Sequence, residues 1–219
     1  RDGEVSLARK MERGKLRMQK SISRSPLIQM MAVEIAENIK RASVELDDFV
    51  DLGNADIEEG SAADTKRRNE AKQLFADVTA LHKKQHQLLE KYNAVAISNK
   101  KLRKKAFGKY SRGRVETSKA IRKIPFIGMR WKQFGKELER VAEELTHLEH
   151  EVRRAEASNS VNAQIRVREL KREIRKKEMM AGASLSDLKH TLQVIRFGEI
   201  EAERAKREMV EANLRLVIS

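Results

Sequence analysis

Residues 71–95 read Ala-Lys-Gln-Leu-Phe-Ala-Asp-Val-Thr-Ala-Leu-His-Lys-Lys-Gln-His-Gln-Leu-Leu-Glu-Lys-Tyr-Asn-Ala-Val, and the spacing within them decides the fold. Ala71, Leu74, Val78, Leu81, Gln85, Leu88, Tyr92 and Val95 recur at intervals of three and four. That period draws one stripe along a helix, whereas a strand needs alternation. The row continues to Leu102, with Asn99 filling the gap before it. A second run, Ile127, Trp131, Phe134, Leu138, Val141, Leu145, Leu148, Val152 and Ala155, keeps the same rhythm. Two heptad helices joined by a connection predict a long antiparallel helical hairpin; a parallel homodimeric coiled coil is the rival arrangement.

Composition points the same way. Of the 219 residues, 37% are charged and only 4% aromatic, with two prolines, so the core must be aliphatic and the elements long helices. The expected class is all-α, an elongated helical bundle with the hairpin as its main feature. The absence of cysteine excludes disulfides and thiolate metal sites. No apolar run approaches the ~20 residues of a membrane span, so no membrane contact is expected.

Working outward, a first helix is expected from Asp2 to about Ser21, with Val5, Ala8, Met11 and Leu16 on its apolar side. Ser25-Pro26 signals a second start, Ser as N-cap and Pro at the first helical position. That helix should carry Leu27, Met30, Met31, Ile35, Ile39, Val44 and Leu46 towards Asp51, followed by an acidic loop from Asp51 to Ser61. A basic helix from Val161 to Met180 should stop at Gly182. Ser184 should cap a helix beginning near Leu185, and Gly198 should separate it from a final one. In the final helix Met209, Asn213 and Leu216 share a stripe beside Val210, Leu214 and Val217. Met209, Val210, Leu214 and Val217 are expected to pack. The helix reaches Ser219 without a capping signal, and Arg1 stands where an initiator Met is usual; both lead us to expect a piece of a longer chain.

The net charge of +14 is unevenly distributed. Residues 100–132 hold thirteen Lys or Arg against one acid, Glu116, a local balance of +12. Such a stretch attracts polyanions, and the candidates for that contact are Lys100, Lys101, Arg103, Lys104, Lys105, Lys109, Arg112 and Arg114. Tyr110, with Phe107 near it, adds an aromatic that can stack on a base or simply pack.

Catalytic chemistry finds no residues to carry it. His82 and His86 have a metal-ligand spacing but flank core positions and lack a protease-type Glu. Glu144 and His147 form one Glu-x-x-His, whereas a di-iron bundle needs two. Gly128 to Lys136 has neither P-loop spacing nor a Ser or Thr after its lysine. The expectation is a non-enzymatic protein with no cofactor, no metal and no small-molecule substrate.

The segment from Gly198 to Ser219, with Glu-Ala-Asn-Leu-Arg-Leu-Val at residues 211–217, closely resembles the start of region 2 in bacterial primary (housekeeping) sigma factors. Arg1 to Gly14, Arg-Asp-Gly-Glu-Val-Ser-Leu-Ala-Arg-Lys-Met-Glu-Arg-Gly, is similar to the latter part of region 1.2 in that family, and Ser21 to about Asp51 to the helix that follows. Residues 52–181 match only by position and helical character, as the family's variable insert would. The resemblance implies three parts: 1–51 for region 1.2 and its following helix, 52–181 for the insert with a basic junction at 100–132, and 182–219 for a truncated start of region 2. It also implies a cytoplasmic protein, nucleoid-associated in holoenzyme, that binds core RNA polymerase and promoter DNA and captures the single-stranded non-template strand of the −10 element.

In the family the last thymine of that element sits in a pocket built from both ends of this segment. The matching positions here are Glu4, Asn213 and Leu216, with Arg215 as a candidate phosphate contact. A carboxylate and an amide can read a base edge and an aliphatic side chain can cover its face. The basic insert departs from the often acidic inserts of the family, and is expected to lie against promoter phosphates or an acidic polymerase surface. The alternative is a non-enzymatic coiled-coil architectural protein that binds polyanions through the same basic segment.

Overall fold

The computed structural model describes residues 2–53, 61–158 and 160–218, and the side chains of 3–53, 61–158, 160 and 162–214. Among the described residues the chain is all-α, with helices α1 (Asp2–Arg24), α2 (Pro26–Lys40), α3 (Ala62–Asn93), α4 (Lys100–Lys123), α5 (Gly128–Glu156), α6 (Val161–Ala181) and α7 (Leu185–Ile218). Most of the expected acidic loop, residues 54–60, lies outside the described residues. No described helix is long and apolar enough to cross a membrane.

The helix boundaries follow local chemistry. Ser25 sits in extended backbone with Pro26 at the first helical position, as the sequence predicts. The Ser61 and Ser160 hydroxyls accept from the N–H groups of Asp64 and Ala163, closing the starts of α3 and α6. Ser184 and Asp187 make a reciprocal cap at the start of α7. Gly182 ends α6 in the left-handed region, φ 65°, a conformation open to glycine at little cost.

Three expectations need correction. The helix after Pro26 stops at Lys40, well short of Asp51; Ala42 takes φ 53° and the chain leaves the helix. Leu46, Phe49 and Val50 are buried all the same, because the segment runs beside residues 125–127. Asp51 N–H donates to the Pro125 carbonyl (2.8 Å) and Ile127 N–H to that of Phe49 (3.0 Å). Secondly, the heptad row does not run through Asn99. That residue is the N-cap of α4, its side chain accepting from Leu102 N–H, and the basic junction is itself a helix. Thirdly, Gly198 separates nothing, since α7 runs through it without a break.

The chain forms two compact units: residues 1–22 with 134–219, and residues 23–133. The span 52–181 is shared between them.

In the unit of residues 23–133, α3 and α4 are the antiparallel hairpin. Tyr92 meets Arg103 and Phe107, while Gly113 faces Leu88 and Gln85. The expected hairpin therefore exists, but α4 takes the place that the second heptad run was expected to fill. The helix α2 packs across it, burying Ile28, Ala32, Ile35 and Ile39 against a core that includes Phe75, Val78 and Ile121. Phe75, Phe126 and Trp131 stack edge to face, with centroids 5.7 and 5.8 Å apart. Each such side chain contributes about 1.5–3 kcal/mol by leaving water. A polar network interrupts the apolar seam. The Gln85 amide donates to Gln29 (2.9 Å), whose own amide donates to the carbonyls of Ser23 and Arg114.

In the other unit, α5 and α6 pair antiparallel over Leu148, Val152 and Leu170, with Val167 and Ile174 beside them. Glu144–Lys177 (2.7 Å), Glu151–Arg166 (3.5 Å) and Glu156–Lys171 (2.7 Å) lace their edges. Arg196–Glu139 (2.7 Å) and Lys189–Glu149 (4.0 Å) tie α7 to α5.

Candidate nucleic-acid interfaces

The two ends of the chain meet as the helix pair α1–α7. Gly14 and Gly198 are both buried at their crossing. A Cβ on Gly14 would stand 2.6 Å from the Gly198 carbonyl oxygen and 2.9 Å from the Ala202 nitrogen. A Cβ on Gly198 would stand 2.8 Å from the Gly14 oxygen. Only glycine permits so close an approach of two backbones. Ala202 and Ala205 continue the small face of α7 at helical spacing.

The pairing is antiparallel: Arg17 bonds Glu201 (3.1 Å) and covers the Phe197 ring (5.1 Å), and Ser21 donates to the Thr191 carbonyl. Glu4 continues the α1 stripe of Leu7, Met11, Gly14 and Met18 and is exposed at its end. It lies about 15 Å along the α1 axis from Gly14. Asn213, exposed beside half-buried Ala212, lies about 22 Å along the α7 axis from Gly198. Leu216 and Arg215 belong to α7, and their side chains lie outside the described residues. Met209 is half-buried, but Val210 and Leu214, expected to pack, stand 50% and 54% exposed. Val217 lies outside the described side chains.

The second surface is α4 with the end of α3. Lys100, Lys101, Lys104, Lys105, Lys109 and Arg112 are exposed; Arg103 and Arg114 are half-buried. Arg103 lies over the Tyr92 ring (4.6 Å) and donates to the Val95 carbonyl. Arg114 lies over the Tyr110 ring (5.9 Å) and donates to the Arg24 carbonyl. Between them Phe107, 49% exposed, contacts Tyr92 (5.6 Å) and Tyr110 (6.4 Å). Sequence reasoning missed Tyr92, because its place in the heptad row assigned it to the core. The N-cap signal of Asn99 points to the bend that turns it towards α4.

The discarded metal spacings resolve into ordinary contacts. His82 is half-buried, and that burial, helped by His86, holds its pKa below the usual 6.5. His86 sits by Glu90 and His147 by Glu151, one helical turn apart in each case. Glu144 is engaged by Lys177 and Arg140, and its pKa is lowered, first by the hydrogen bond from Lys177. Among the described residues no group of three or more His, Asp or Glu is arranged to hold a metal ion. No protein-family model matches the chain.

Proposed function

We propose that the chain is the region 1.2-to-region 2 part of a bacterial primary sigma factor, which binds core RNA polymerase and captures the −10 non-template strand. The supporting observation is the glycine crossing of α1 and α7. The two segments that resemble the family stand at opposite ends of the sequence, yet they share one close-packed helix pair. A pocket made from both segments needs that approach. Glu4 ends the stripe that faces α7, and Asn213 lies on the same end of the pair.

In this reading the Glu4 carboxylate and the Asn213 amide accept and donate at the edge of an unstacked base. Leu216 covers its face, and Arg215 neutralises a neighbouring phosphate. The polypeptide carrying this chain, assembled with core RNA polymerase, should direct initiation at promoters. Asn213→Ala should weaken capture of a −10 single strand by about 1–3 kcal/mol, the worth of one base contact. Failure to associate with core polymerase would sink the reading and favour the architectural alternative, which needs only a polyanion.

A further inference from the structure

Among the described residues, three ion pairs link α5 to α6 and two link α7 to α5, whereas none involves a residue of α4. Lys100, Arg103, Lys104, Phe107, Tyr110 and Arg114 recur at three- and four-residue spacing and so share one face, about 21 Å long. The rings of Tyr92, Phe107 and Tyr110 make a continuous row on that face, with an arginine stacked at each end. A solvated charge run needs no such row, and charge pairing with an acidic protein surface does not need it either.

We propose that this face binds single-stranded nucleic acid, with a base stacked on Phe107 and phosphates lying along Lys100, Lys104 and the two arginines. A half-exposed ring flanked by aromatics is a stacking platform, and a line of unpaired cations beside it tracks a backbone. Unpaired bases present the π-face that Phe107 needs; bases inside a duplex do not. Stacking reads no base edge, so DNA and RNA single strands share the chemistry. The site is built from residues of the 23–133 unit alone, and its argument does not depend on the sigma reading.

The test is fluorescence anisotropy on the full chain with four probes: a twelve-nucleotide oligo-dT, an oligo-U of equal length, a duplex of equal length and polyglutamate. At least one single strand should bind more tightly than the duplex and polyglutamate; comparing the two strands separates a DNA source from an RNA source. Phe107→Ala should weaken single-strand binding roughly fivefold or more, with helicity by circular dichroism unchanged, and Phe107→Tyr should restore it. Lys100→Gln with Lys104→Gln should lower the salt slope by roughly one to two. Equal binding of duplex or polyglutamate, or an unchanged affinity for Phe107→Ala, would overturn the proposal.

Discussion

The pairs α5–α6 and α3–α4 are both antiparallel and each is built on one helix of heptad spacing, but they handle polarity in opposite ways. The α5–α6 pair has an apolar seam of Leu148, Val152 and Leu170 and is laced by three ion pairs. The α3–α4 pair puts Gln85 in its seam and, among the described residues, leaves the cations of α4 without ion pairs. In the first, carboxylates and cations of the two helices engage one another; in the second, among the described residues, the α4 cations have no carboxylate partner, and the binding proposal for α4 rests on that difference and on its ring row.

Substitutions in the two seams sharpen that contrast. Leu170→Ala, at a side chain 1% exposed, should cost about 2–5 kcal/mol in chemical denaturation, the usual range for a buried leucine. Gln29→Ala should cost about 1–3 kcal/mol, because it leaves the buried Gln85 amide of the α3–α4 seam without its acceptor. If Gln29→Ala is neutral, the polar seam is solvated and the contrast weakens.

A pair of glycine substitutions separates packing from propensity. Gly14→Ala gains helix propensity but forces a Cβ into backbone, so it should destabilise by about 1–3 kcal/mol. Gly108→Ala meets nothing within 4 Å and should stabilise α4 by up to about 1 kcal/mol. Thermal melts of the two variants should therefore shift in opposite directions.

The smallest effect is acid sensitivity. Burial keeps the His82 pKa low in the folded hairpin, so the unfolded chain binds protons more readily there. The α3–α4 pair should lose stability as pH falls from about 6.5 through the depressed folded value. Glu137 and Glu144 are likewise depressed, first by hydrogen bonds from Arg140 and Lys177 respectively. Their contribution, on or near α5–α6, should persist down to about pH 4.5 and be lost below it. Lys177→Met should cost no more than about 1 kcal/mol, as exposed pairs do. Hydrogen exchange resolved by helix would show the two windows.

Helical class, the Ser25-Pro26 start, the Gly182 stop and the Ser184 cap were legible because each rests on local backbone chemistry. The partner of α3 was not, because heptad spacing tells which face is buried but not what buries it. The end of α2 was also hidden: Leu46, Phe49 and Val50 look the same in a helix as in an extended segment beside Pro125. Gly198 read as a breaker because its real role depends on Gly14, at the other end of the sequence. Of the candidate site, the exposure of Glu4 and of the α4 lysines follows from charge, whereas the ring row needs the bend before Asn99.

The most direct test of the pocket is a cycle between one residue and one base. In core RNA polymerase assembled with the polypeptide carrying this chain, −10 single strands with and without the final thymine would be bound to wild type and Asn213→Ala. The account predicts a thymine preference of about 1–3 kcal/mol in wild type that largely disappears in the variant. An equal preference in both, with the fold intact, would contradict it.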